Sequence, residues 1–305
     1  MSPHRSDGGD RRRQEPAGGA NDVDSIRIAV VQTRTQTDDP PKNVGRAIAY
    51  VEQAAGLGAR IVCLPETYPG PWTPPIDYDA MPDLAAKARD LDVFVIAGTI
   101  EPVPGDPSSH FNALVLIGPD GNEAGRYRRT TPDGPWIYQG GSFWDFGYTA
   151  ASELPVFDVG GCTIGMLVCS EVYVPELARQ LALEGAEIIF MPAGLWKMAQ
   201  WDTWRVLTRA RAIENLAYTA TCQNILGHES SNPGLSMICS PEAVLAEGSV
   251  EGVLVADCDL DRIRFLRAEQ DRRGIDKACK AGVLWQWYKP ELYTAGPVSR
   301  PTSSA

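Results

Sequence analysis

Short apolar runs alternate along this chain with stretches of helical period, and that alternation restricts its fold more than any other feature. A short run of this kind fits a strand buried on both faces, and a helix between two such runs makes a parallel crossover unit. Residues 26–31, 60–64 and 93–97 are the first such runs, with helices expected near 41–57 and 81–90. Further strands are expected at 112–117, 123–128, 163–168, 187–191, 217–223, 235–239 and 252–258, and further helices near 174–185 and 200–214. Turn signals such as Pro119-Asp120-Gly121-Asn122 separate several of them. The plan of 26–31, helix, 60–64 recurs as 163–168, helix, 187–191, which predicts two similar layered halves. Two sheets face to face, with helices on both outer surfaces, would bury every run, so the expected class is α/β. Proline-rich loops at 69–75, 101–107 and 132–135 are long enough to carry a site.

A chain of 305 residues, 44% hydrophobic, can bury one large core, and we expect a single domain over 25–293 with tails at 1–24 and 294–305. The first tail holds Arg11-Arg12-Arg13 among Gly, Asp and Pro with almost no apolar residues, a composition expected to stay disordered. Its arginines resemble half of a twin-arginine signal, but no hydrophobic region follows before Ile26. The net charge of −11 argues against a nucleic-acid partner or an anionic membrane surface. Seven cysteines without a CxxC pair, and no run of 18 apolar residues, point to a reducing cytoplasm. Only His4, His110 and His228 are present and they do not cluster with the cysteines, so neither a metal nor a cofactor is expected.

Among the seven cysteines Cys169 stands apart. The apolar run 162–169 ends on it, and Ser170, Glu171 and Pro175 follow as a helix opens, which would set the thiol near the positive end of a helix dipole. The others lie in or beside apolar stretches as small core residues. Glu66 ends another buried strand just before the loop from Thr67 to Trp72, and ligand sites in α/β sheets gather at carboxyl ends of strands. A carboxylate there could take the thiol proton and later activate water. Arg126, Arg128 and Arg129 end a third strand, where one cation and a backbone N–H near Ser170 could hold an oxyanion. A Cys–His dyad is disfavoured, because His110 and His228 are expected at a loop edge and in a Gly-flanked turn. No GxGxxG or phosphate loop follows the early strands.

Leu64-Pro65-Glu66, Tyr127-Arg128-Arg129, the run 165–169, the run 185–192, the run 209–215 and Gly234-Leu235-Ser236-Met237 together resemble the nitrilase superfamily of carbon-nitrogen hydrolases, in order and spacing, over about 26–293. The resemblance implies a four-layer αββα sandwich, a homodimer or higher stack, and a Glu-Lys-Cys triad working through a thioester on amide-like small molecules. Glu66 and Cys169 match that triad. Arg129 stands where the family has lysine. Arginine stays charged and cannot pass a proton, so Arg129 either holds the oxyanion charge or binds a substrate anion through its fork. Asp133 and Asp145 do not align with the family's second acid, whose place Gln139 or Ser142 could take. The pair Ser170-Glu171 matches neither the amidase Tyr-Asp nor the nitrilase Trp-Glu, and amide is favoured over nitrile. Trp72, Trp136, Trp144 and Trp196, with Trp201, fall in or beside the loops around the site, which points to an aromatic or apolar acyl group. Acyl transfer to an amine, or a silent member that binds a ligand or partner, remain the alternatives.

Overall fold

The computed structural model describes residues 23–34, 39–71, 76–132, 147–195, 201–225, 234–268, 284 and 288–292. The expected tails therefore fall almost wholly outside the described residues. The first half runs β1 (Ser25–Arg34), α1 (Pro40–Gly56), β2 (Ile61–Cys63), α2 (Met81–Leu91), β3 (Phe94–Val103), β4 (Asp106–Ile117), β5 (Glu123–Arg128) and β6 (Gly147–Tyr148). The second half runs β7 (Val156–Asp158), β8 (Thr163–Met166), α3 (Pro175–Leu183), β9 (Ile188–Phe190), β10 (Ala193–Leu195), α4 (Trp201–Asn215), β11 (Tyr218–Thr221), β12 (Gln223–Ile225), β13 (Ser236–Cys239), β14 (Val244–Gly248), β15 (Gly252–Asp259) and α5 (Leu260–Arg267).

Among the described residues, one sheet takes the order β10-β12-β1-β2-β3-β4-β5, with β15 on β1 and β6 on β4, and the other takes β14-β13-β11-β9-β8-β7. The expected repeat is present, since β1 pairs parallel with β2 across α1 and β8 pairs parallel with β9 across α3. Strand alternation assigns the faces. Ile28 and Val30 join Ile164, Met166, Ile188 and Phe190 in the core between the sheets. Ala29 and Val31 instead meet Ala47, Val51 and Ala54 of α1 and Leu84 and Ala88 of α2 on the outer face. On the opposite outer face α3 comes so close to β8 that a Cβ on Gly165 would lie 2.9 Å from Leu181. This is the αββα sandwich.

Local chemistry sets the helix starts. Asp39 accepts from the Lys42 N–H at 3.1 Å, and the prolines that follow suit a first turn that has no N–H acceptor. The long loop expected at 101–107 is instead a hairpin: β3 and β4 run on until Val103 faces Asp106, and Gly105 takes φ 82 in the turn. Proline is tolerated there because β2 pairs only with residues 94–96 of β3, so the N–H that Pro102 lacks is not needed by a neighbour. For the same reason His110 lies inside β4 and is buried, not at a loop edge. Strand β14 and helix α5 went unforeseen.

Among the described residues the chain passes from the smaller sheet to the larger three times: at Met191 and Pro192, between β9 and β10, at Cys222, between β11 and β12, and at 249–251, between β14 and β15. The first two crossings run side by side, with Met191 N–H on Ala220 O at 2.7 Å and Ala193 N–H on Cys222 O at 2.8 Å. They carry backbone from one layer into the other.

The core sets a pH limit. Burial pushes up the thiols of Cys63, Cys162, Cys239 and Cys258 and the phenols of Tyr68 and Tyr218, Cys239 to about 11 and Tyr68 to about 12. The folded chain thus keeps protons that the unfolded chain releases once pH passes ~9. Because the unfolded state then binds fewer protons, stability falls as pH rises. Urea midpoints should hold up to about pH 8.5 and decline steadily above ~9. An equal midpoint at pH 7.5 and pH 10.5 would contradict this.

Candidate active site

Glu66 follows β2 at its carboxyl end, and a tight loop turns it inward. Thr67 takes φ 47, and β3 passes so near that a Cβ on Gly98 would sit 2.2 Å from the Thr67 nitrogen, so only glycine fits there. Gly98 N–H donates to Tyr68 O at 3.0 Å and fixes the loop to the sheet. Glu66 is buried, 8% exposed as a residue. One oxygen accepts from Asn112 Nδ2 at 2.8 Å and faces Arg129 Nη1 at 3.4 Å; the other accepts from Gly194 N–H at 2.8 Å.

The three arginines at the end of β5 divide by strand alternation. Arg126 and Arg128 point outward and share Glu101, at 3.0 and 2.6 Å. Tyr127 and Arg129 point inward. Arg129 is fully buried, with its N–H on Asn112 O at 2.9 Å and its carbonyl accepting from Ala151 N–H at 3.0 Å. Its side chain spans from Glu66 to Ser170, whose Oγ accepts from Nη2 at 2.5 Å.

Cys169 comes three residues after β8 ends, held by its N–H on Pro192 O at 2.9 Å. It takes φ 52, a left-handed conformation unusual for a non-glycine and a sign of a residue its surroundings over-determine. Cys169 is 7% exposed as a residue, and its Sγ lies 3.9 Å from Gly194 O. The α-helix expected to open behind it does not begin until Pro175; a short 3-10 turn, Cys169–Tyr173, comes first. Its few aligned peptides make a weak dipole, so the expected helix field is largely replaced by side-chain and backbone contacts.

Three residues that sequence reasoning missed complete the arrangement. Asn112 joins the acid to the cation: its side chain donates to Glu66 and its carbonyl takes the Arg129 N–H. Gly194, just past the first crossing, presents its N–H to Glu66 and its carbonyl to Cys169. Glu171 is fully buried and accepts from Val168 N–H at 2.7 Å, Thr130 N–H at 2.8 Å, Thr131 N–H at 3.0 Å, and the hydroxyls of Tyr127 and Thr130. Burial, and then the charge of Glu171, hold Tyr127 well above the usual phenol range, so its hydroxyl is a donor. A polar Asn heading an apolar strand and an acid just after the thiol were the available signals; a glycine acting through its backbone leaves none.

Trp72, Trp136, Trp144 and Trp196 lie outside the described residues, as do Asp133, Gln139, Ser142 and Asp145. Trp201 opens α4, with its side chain outside the description. Among the described residues no group of His, Cys, Asp and Glu could hold a metal ion.

Replacing the Glu171 carboxylate should be felt by the whole molecule. Glu171→Gln turns an amide toward several buried donors, each costing about 1–3 kcal/mol when left unpaired. We expect a loss of about 3 kcal/mol or more, a melting point lower by roughly 6–12 °C. Glu184→Gln, at an exposed site, should stay within about 0.5 kcal/mol of the parent. Parallel urea melts would test the contrast, and equal midpoints would refute it.

Comparison with known proteins matches this geometry to a family. The carbon-nitrogen hydrolase family model matches residues 27–268. A nitrilase from Pyrococcus abyssi is 31% identical over 260 residues, covering 79% of this chain and 93% of its own. A deaminated glutathione amidase from Synechocystis is 29% identical over 259 residues, covering 79% and 95%. The crystal structure of an amidase from Nesterenkonia sp. superposes with a TM-score of 0.67 at 25% identity, over 82% of this chain and 96% of that one. With the four layers in place and the match running through β1, Glu66, Arg129 and Cys169 to α5, the chain belongs to the carbon-nitrogen hydrolase family and is an enzyme of that class.

Proposed function

We propose that this carbon-nitrogen hydrolase cleaves amides of aromatic or apolar carboxylic acids through a thioester on Cys169. The observation that carries the reading is the backbone of Gly194, which faces Glu66 with its N–H and Cys169 with its carbonyl, so that acid and thiol meet at one residue. Glu66 takes the thiol proton as sulfur attacks the carbonyl carbon, and the carbonyl electron pair moves onto oxygen. Arg129 supplies positive charge to that oxygen, together with Ser170 N–H, because the N–H of Cys169 is already given to Pro192. Collapse breaks the C–N bond, and the amine leaves with the proton from Glu66. Water, deprotonated by Glu66, then releases the acid.

Both terminal nitrogens of Arg129 face protein oxygens, which favours its role as a fixed charge over capture of a substrate anion. The aromatic or apolar preference rests on the tryptophans at positions 72, 136, 144 and 196 of the sequence. An amidase and a nitrilase among the relatives support a C–N bond at the acyl carbon. We further propose a cytoplasmic homodimer or larger assembly, in which Tyr173 and Val206, exposed beside the nucleophile turn and on α4, meet a second copy. The free thiols of Cys63, Cys162, Cys222, Cys239 and Cys258 fit a reducing compartment.

Incubation with a panel of primary amides, followed by mass spectrometry, should add an acyl mass to Cys169 and to no other cysteine. Cys169→Ala should lose turnover by several orders of magnitude, and Arg129→Ala by about 10²-fold or more. If Arg129 acts as a charge, Arg129→Lys keeps much of the activity. A product that carries the acyl group on an added amine would favour transfer over hydrolysis. Unchanged turnover in Cys169→Ala would remove the reading. Light scattering near 33.1 kDa at micromolar concentration would exclude the dimer.

A further inference from the structure

The reaction above uses no residue of the family motif at 209–215, yet each polar side chain in that motif is engaged. The motif forms the end of α4. Arg209 Nη1 donates to Ser240 O at 2.6 Å, and the Thr219 hydroxyl of β11 donates to Thr208 O at 2.9 Å, so the helix is fastened to the smaller sheet. Arg211 is buried. Its Nε donates to Val172 O at 3.0 Å, its Nη1 pairs with Glu214 at 2.5 Å, and Asn215 Nδ2 donates to Arg211 O at 3.0 Å. Val172 belongs to the 3-10 turn Cys169–Tyr173, in which residues three apart stack on one side, so Arg211 grips the turn one layer behind Cys169. Trp204 lies two helical turns before Arg211 on the same face of α4, and its ring stands edge-on to Tyr173 with centroids 6.4 Å apart. Helix α4 thus meets two consecutive residues of the turn.

So short a turn has few hydrogen bonds of its own, and Cys169 within it takes φ 52, a conformation that persists only where neighbours impose it. The Cys169 N–H on Pro192 O and the Glu171 carboxylate tie the turn to β10 and to the residues after β5. Arg211 ties it to α4. We propose that Arg211 is a positioning residue for Cys169, which by holding Val172 O keeps the turn in the shape that presents the thiol to the substrate carbonyl. The inference rests on the thioester reading above. Glu214, by engaging Nη1, turns Nε toward Val172. Arg211 touches no reacting atom in this scheme. Its loss lets the turn relax and moves the sulfur off its line of attack, and a displacement of about 1 Å costs about 10²-fold in rate.

p-Nitrophenyl acetate is the probe: the burst of p-nitrophenolate gives the acylation rate, and mass spectrometry places the acetyl group. Arg211→Met keeps an unbranched stem and removes every donor. Its maximal acylation rate should fall about 10²-fold, while the half-saturating ester concentration stays within about twofold. Arg211→Lys keeps the cation without the planar fork that meets Val172 O and Glu214 together, so it should fall about tenfold, and it carries the test if the Met variant does not fold. Arg267→Met controls for stability, since Arg267 of α5 donates to the carbonyls of Gly185, Ala186, Asn215 and Leu216, just before β9 and β11, and not to the Cys169 turn. Assayed well below its lowered melting point, it should acylate within about threefold of the parent. Parent-like rates in whichever Arg211 variants fold, a loss confined to the half-saturating concentration, or an equal loss in Arg267→Met overturns the proposal, while acetyl on Cys169 still upholds the thioester reading. No acetyl on Cys169 of the parent protein overturns both.

Discussion

The Glu171 carboxylate joins the two sheets at the point where chemistry is expected. It belongs to the turn that leaves β8 in one sheet, yet most of its donors lie at the end of β5 in the other. Donors to a buried carboxylate are charge-assisted, worth about 1.5–3 kcal/mol each, and they fix direction as well as distance. Tyr127 and Thr130 flank Arg129 in sequence and both bind Glu171, so the cation is caught between two anchored neighbours. Val168 N–H binds the same carboxylate and sets the residue before the thiol. One side chain therefore aligns the arginine strand with the Cys169 turn.

The second alignment is made by backbone. Crossing from β9 to β10 carries Pro192, Ala193 and Gly194 from the sheet that holds Cys169 into the sheet that holds Glu66. Pro192 O fixes Cys169 through its N–H, and two residues later Gly194 meets Glu66. This backbone is held in place by its pairing with β12, where Ala193, Gly194 and Leu195 lie against Gln223, Asn224 and Ile225. The crossing from β11 to β12 runs alongside and braces it through Cys222 O. Acid and thiol are thus spaced by the fold itself.

Much of this was legible in the sequence, for a definite reason. Strands buried on both faces read as unbroken apolar runs, and 26–31, 60–64 and 163–168 each lie on one. Their carboxyl ends located Glu66 and Cys169, and the family motifs located Arg129. What could not be read follows from the same physics. β14 lies at a sheet edge with Val244 and Leu245 exposed, so no burial shaped its pattern. Helix α5 has a cap at Asp259 and Leu260, Ile263 and Leu266 at helical spacing, but eight residues make a weak periodic signal. Asn112 and Gly194 act across long sequence separations, through an amide and a peptide that look ordinary in their own segments. The helix expected near 174–185 is present as α3 from Pro175, but the thiol does not stand at its start, because the 3-10 turn Cys169–Tyr173 comes between.

Arginine in place of lysine changes how the proposed reaction must be ordered. A lysine ammonium can carry both charge and a transferable proton, whereas a guanidinium carries charge alone. Among the described side chains at the site, Glu66 is then the proton carrier, and it can hold one proton at a time. Having taken the thiol proton, it cannot accept one from water until the leaving amine has removed the first. Departure of the amine must therefore precede activation of water, and the thioester must stand alone in the interval. That interval separates hydrolysis from transfer, because an incoming amine meets the same thioester and the same unprotonated Glu66. Which nucleophile arrives first depends on what the loops around the site admit, so the outcome is set by access to Cys169 while the bond-breaking machinery stays the same.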